Sequence, residues 1–152
     1  MSIAPIIKHV VVKPPPARAF DLFVGQMGRR WPTARTPGKN PAVDVIVEPR
    51  VGGRWFERDA DGVETLWGEV LAYDPPQRLI LGWRLNARFV YDPGLLIEVE
   101  ISFAPAENGG TTVRLEHRNL ERFGADAERL HGLINQGWPE RLADFQSYTE
   151  NA

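Results

Sequence analysis

Residues 126–150 constrain the fold more than any other stretch. Leu130, Leu133, Ile134, Trp138, Leu142, Phe145 and Tyr148 recur there at helical spacing, the mark of a helix with one apolar face. Glu128, Arg129, Glu140, Arg141 and Asp144 fall on the opposite side. Such a helix must lay its stripe against something. Gly137-Trp138-Pro139 interrupts it: Pro139 has no N–H to give to the Asn135 carbonyl, and its ring crowds that turn. The expectation is a bend there, with Trp138 turned inward and Gly137 making room for the sheet. The Asn135 carbonyl would be left with spare hydrogen-bonding capacity.

The rest of the chain supplies what the helix would cover. Ile6 to Lys13 reads as a strand closed by Pro14-Pro15-Pro16, and Ala17 to Val24 as a short helix with proline in its first turn. Met27 to Trp31 reads as a second helical turn, and 33–41 as a loop. Strands follow at Val43–Glu48, Arg54–Arg58, Thr65–Tyr73 and Arg78–Arg84, with Asp61-Gly62 as a hairpin turn and a bulge plausible at Gly68. Asn86 to Gly94 is irregular; its Phe89 and Tyr91 suit either a lid or a plug. The clearest alternation is in the next two strands. Ile97, Val99, Ile101 and Phe103 share one face, as do Thr111, Val113, Leu115 and His117, with charges on the other. Hairpin pairing is expected to set Glu100 opposite Arg114 and Ile101 opposite Val113. The order predicts an α+β fold: one curved antiparallel sheet of six to seven strands against a long C-terminal helix, with two short helices after the first strand.

Composition narrows the function. At 152 residues, one domain spanning the whole chain is expected. A net charge of -2 gives no case for nucleic acid or an anionic membrane. No stretch approaches the roughly 20 apolar residues of a membrane span. No charged-then-apolar leader opens the chain, so a cytoplasmic location is expected. With no cysteine there is no disulfide, thiolate metal site or cysteine nucleophile. His9, His117 and His131 lack metal-ligand spacing and no HExxH, GxSxG or phosphate-loop motif occurs, so no metal or other cofactor is expected.

Several segments together carry a family resemblance. They are Pro16-Ala17-Arg18-Ala19-Phe20-Asp21-Leu22-Phe23, Glu48-Pro49-Arg50-Val51-Gly52-Gly53-Arg54-Trp55, Trp67-Gly68-Glu69-Val70, Asp74-Pro75-Pro76-Gln77-Arg78-Leu79 with Trp83, Thr111 to Arg118, and Gly137-Trp138-Pro139-Glu140-Arg141-Leu142. In number, order and spacing they resemble the START-like superfamily of helix-grip proteins, also labelled SRPBCC or Bet v 1-like. Within it the chain is similar to bacterial homologues of the activator of the heat-shock-protein ATPase. The resemblance implies a deep cavity between sheet and helix, used by different relatives for lipids, polyketides or hormones, and by a few for cyclase or hydrolase chemistry. The eukaryotic namesake binds a chaperone.

The candidate site follows. Large flat rings with one polar handle suit a pocket for an apolar or aromatic molecule, and Trp55, Trp67, Trp83, Phe103, His117, Asn135 and Trp138 are expected to line it. His117 shares the inward face of its strand, where it can donate, accept or shuttle a proton. Glu57, Glu64 and Glu69 sit on or near strands that should flank a cavity; Glu69 shares strand parity with Trp67, so it too is a candidate acid/base, unless a bulge at Gly68 turns it outward. The expected partner is an apolar or aromatic small molecule, with a cyclase-like enzyme or a chaperone-interacting module as alternatives and a homodimer possible.

Overall fold

The computed structural model describes residues 3–29 and 37–150. Trp31 and much of the expected loop over 33–41 lie outside them. Strand β1 (Ile6–Val12) leads to helix α1 (Pro16–Gly25) and one 3-10 turn (Met27–Arg29). Then come β2 (Ala42–Val47), β3 (Arg54–Asp59), β4 (Glu64–Asp74), β5 (Arg78–Trp83), β6 (Ile97–Pro105), β7 (Thr111–Arg118) and helix α2 (Ala127–Glu150). The strands form one antiparallel curved sheet in the order β1-β7-β6-β5-β4-β3-β2. The first strand thus returns to pair with the last, and the meander between them fills the sheet. No helix among the described residues is long and apolar enough to cross a membrane.

Local chemistry sets the elements. Pro15 and Pro16 open α1, where a missing N–H costs nothing, and Ala19, Phe20, Leu22, Phe23 and Val24 are its buried residues. At the β3–β4 turn Gly62 takes φ +83°, a left-handed conformation open to glycine. The Asp59 carboxylate accepts the N–H groups of Asp61 and Val63 there, both at 2.9 Å. These bonds, led by the one from Asn40, hold the Asp59 carboxyl below its ordinary value. Helix α2 buries Ala127, Leu130, Ile134, Trp138, Leu142, Phe145 and Thr149. It packs mainly on β1 and on the 3-10 segment (Leu120–Asp126) before it.

Helix α2 runs through Pro139 as one element of 24 residues. Three expectations are corrected. Gly137 is not a point of close approach: a Cβ added there meets nothing within 4 Å. Leu133 is 50% exposed, because the buried stripe advances by three or four residues per step and passes through Ile134 instead. The last hairpin is shifted by two residues, pairing Ile101 with Leu115, Phe103 with Val113 and Glu100 with Glu116. Its connection runs from Ala106 to Gly110, where the Ala106 N–H reaches the Gly110 carbonyl at 2.9 Å. Asn108 and Gly109 are left-handed within that connection.

A shift of two preserves the faces. It also sets two glutamates opposite each other, and Arg118 resolves the repulsion. Its guanidinium bonds Glu98 at 2.9 Å, Glu100 at 2.7 Å and Glu116 at 3.4 Å. Burial opposes that charge, but the carboxylates outweigh it and hold Arg118 above its ordinary value.

Candidate functional site

The inner face of the sheet carries a continuous row of rings. Trp55 on β3 meets Trp67 on β4 at 5.4 Å between centroids and Trp83 on β5 at 5.9 Å. Trp83 meets His117 on β7 at 5.0 Å, and His117 meets Trp138 of α2 at 6.0 Å. The row therefore crosses from the sheet to the helix. Three devices assemble it. Alternation turns Trp55, Trp83 and His117 inward. A bulge at Trp67 lets that ring join them, since Trp55 pairs with Gly68 and Phe56 with Leu66. The helical stripe brings Trp138 down onto His117.

Two hydrogen bonds fix the ends of the row. The Trp138 Nε1–H donates to His117 Nδ1 at 2.9 Å. The Trp67 Nε1–H donates to Glu57 Oε1, also at 2.9 Å, and the same oxygen accepts the Gly38 N–H. Glu57 is 1% exposed and lies two residues from Trp55 on the same face. Trp83 Nε1 is bonded to the Leu85 carbonyl at 3.0 Å. By contrast, Trp55 Nε1 and His117 Nε2 are buried with no partner.

His117 is a neutral imidazole. Burial alone pushes it down from its ordinary 6.5 to about 3. Its Nδ1 accepts from an indole that can only donate, so the proton sits on Nε2. His117 is therefore a hydrogen-bond donor toward the interior rather than a base.

The structure separates the other expected residues. Trp55, Trp67, Trp83, His117 and Trp138 come together. Phe103 is buried in a different cluster, against Phe20 at 5.2 Å and Phe23 at 5.7 Å. It lies four residues from Val99, the strand partner of His117, about 13 Å along the strand. Asn135 is only half-buried on α2. Glu69 is on the outer face, ion-paired to Arg84 at 2.7 Å; that carboxylate holds Arg84 above its ordinary value. The bulge at Trp67 turned it outward, and the inner carboxylate is Glu57. Of the three carboxylates expected to flank the interior, Glu57 is the one that faces it, in alternation with Trp55 on β3.

The row is packed. Trp55 and His117 are both 0% exposed, and the residual exposure along the row is at Trp83 (9%) and Trp138 (6%). The Asn86–Gly94 loop is not a plug, since Phe89 and Val90 are exposed. It borders a separate surface groove of about 290 Å³ whose far side is Arg122, Phe123 and Asp126. Among the described residues, no three of His, Asp or Glu converge on a possible metal position.

A search of curated proteins finds no match. An anthrahydroquino-gamma-pyrone synthase of known structure is 35% identical, with a TM-score of 0.68 over 96% of this chain and 97% of that one. The self-sacrificing resistance protein CalC from Micromonospora echinospora is 30% identical, with a TM-score of 0.71 over 97% and 94%. A Mesorhizobium loti protein at 21% identity and TM-score 0.70, covering 98% of both chains, shares the fold. The model of the family described as activator of Hsp90 ATPase homolog 1-like protein matches residues 13–150, and the chain belongs to that family.

Proposed function

We propose that this protein binds a small apolar aromatic molecule between the inner face of the sheet and α2. The observation that carries the reading is the row Trp67–Trp55–Trp83–His117–Trp138. A core built only for stability is filled economically by aliphatic side chains. Five contiguous nitrogen-bearing rings instead make flat apolar walls with polar handles, suited to a planar guest. The named synthase, 35% identical across 96% of the chain, supports a polycyclic or polyketide-like guest. A guest would enter at Trp83, at 9% the most exposed ring of the row, with the Trp138–His117 hydrogen bond kept. Apolar burial drives the exchange at roughly 25 cal/mol per Å² removed from water.

The test is a titration with a sulfonated anthracene, a soluble planar probe. Saturable binding is expected, with a shift in tryptophan emission that is reduced when Trp83 is replaced by phenylalanine. Absence of saturation in calorimetry and dialysis alike would end this reading.

A second reading, catalysis in the same interior, has one observation in its favour: the buried Glu57 carboxyl beside Trp67. On an ortho-hydroxyaryl β-diketone, Glu57 would take the phenol proton as the phenol oxygen adds to the distal carbonyl. Passing that proton to the carbonyl oxygen gives a hemiketal; Glu57 then takes the C–H proton between the two carbonyls and hands it to the departing hydroxyl, which leaves as water as the γ-pyrone double bond forms. Ring closure faster than in buffer is expected, and Glu57→Gln abolishes the gain while retaining probe binding. Equal rates with and without protein leave binding as the sole activity.

A further inference from the structure

Resting on that binding reading, we propose that the guest is held through carbonyl oxygens, as in a quinone or pyrone, which accept from His117 Nε2–H and Trp55 Nε1–H, and that Trp138 is the residue that positions His117 as a donor.

The argument starts from the partnerless groups. Trp55 Nε1 and His117 Nε2 are buried and unbonded, although a polar atom taken out of water is nearly always given a partner. Both are donors. An indole nitrogen has no accepting lone pair, and the His117 lone pair is already used at Nδ1 by Trp138. The row therefore has donors to offer inward and no acceptor of its own at these two positions. A guest rich in hydroxyl or amine donors gains nothing from them; a guest with ring carbonyls satisfies them.

Position supports the pairing. Trp83 lies between the two donors in the row, 5.9 Å from Trp55 and 5.0 Å from His117 between ring centroids. Its own N–H is spent on Leu85. A planar guest stacked at Trp83 has an N–H donor to each side of it. The packed row keeps both donors unsatisfied, so each carbonyl offsets part of the work of opening the site.

Trp138 never needs to touch the guest to matter. Without its N–H, His117 is free to move its proton to Nδ1, and Nε2 becomes an acceptor that repels a carbonyl. This is the orientation of one ring nitrogen by the bond made at the other.

The experiment compares two probes of one shape: a sulfonated anthraquinone and a sulfonated anthracene with the sulfonate at the same position. The expected result is that the intact chain binds the quinone about tenfold more tightly, a difference the ring carbonyls alone supply. Imidazole nitrogen chemical shifts should report His117 protonated at Nε2, and Trp138→Phe should mix the tautomers and shrink the quinone preference while still binding anthracene. Equal affinities for the two probes, or a His117 proton on Nδ1, would overturn the inference yet leave the binding reading standing. If neither probe binds, the binding reading fails and this one falls with it.

Discussion

Gly68→Ala should destabilise the protein by about 3 kcal/mol, the upper range for forcing bulk into a packed interior. An ideal Cβ at Gly68 would stand 1.6 Å from the Gly82 carbonyl oxygen and 2.8 Å from its carbon. Those are backbone atoms of a central strand, held by the ladder on which Gly68 pairs with Trp83 and Glu69 with Gly82. They cannot rotate aside as a flexible side chain does. Moving them would also disturb the row, because Trp55 and Trp83 are the two cross-strand partners of Gly68. Backbones two strands apart are about 10 Å from each other, while these two rings stand 5.9 Å apart. Gly132→Ala on the exposed side of α2 is the matched control: nothing lies within 4 Å of an added Cβ, and a gain of up to about 1 kcal/mol is expected. Urea unfolding midpoints compare them. A Gly68→Ala protein within about 0.5 kcal/mol of the parent would mean the close approach does not exist.

Gly68 also shows how far the sequence could be read. Period-two alternation assigned the faces of β6 and β7, and helical spacing turned Trp138 inward, so His117 and Trp138 were legible as inner residues. Their hydrogen bond was not, because the residues are 21 positions apart and strand periodicity carries no distance. The bulge was legible as a possibility at a glycine, but its consequence depends on which residue is extra. Trp67 is that residue, so Glu69 goes outward to Arg84. Phe103 lies in another cluster, against Phe20 and Phe23, for a different reason: alternation gives the face of a residue and says nothing of its position along the strand. The hairpin slipped by two because the connection between β6 and β7 is set by left-handed Asn108 and Gly109, which alternation does not encode. A slip of one would have inverted both strands and been visible against their apolar pattern; a slip of two leaves it intact.

Stability should fall as pH is lowered from about 6.5, and His117 should account for a resolvable part of the slope. The sign follows from proton counting. Burial holds the folded-state imidazole down at about 3 against an ordinary 6.5, so between those values the unfolded chain binds a proton that the folded chain refuses. Acid therefore draws the equilibrium toward the unfolded state, and the loss approaches about 1.4 kcal/mol per pH unit for this one group. Above pH 6.5 both states are neutral at His117 and the term vanishes; below about 3 the folded state also takes the proton and the loss stops growing. The neighbours leave no route to rescue the charge. The strand partners of His117 are Ile6 and Val99, and its ring neighbours are Trp83 and Trp138. None of them carries a charge, and the bond at Nδ1 is made by a donor that would have to leave if that nitrogen were protonated. Denaturant unfolding between pH 6.5 and 5 isolates the effect from most carboxylate titration. His117→Gln keeps a polar side chain without the titration, so its curve should be flatter than the parent's in that window by close to the full single-proton slope. A direct titration of the His117 ring by NMR in the intact chain gives the same answer without a variant. A folded-state midpoint near 6.5 would show an imidazole reached by water, and the closed, donor-bearing interior argued from it would be wrong.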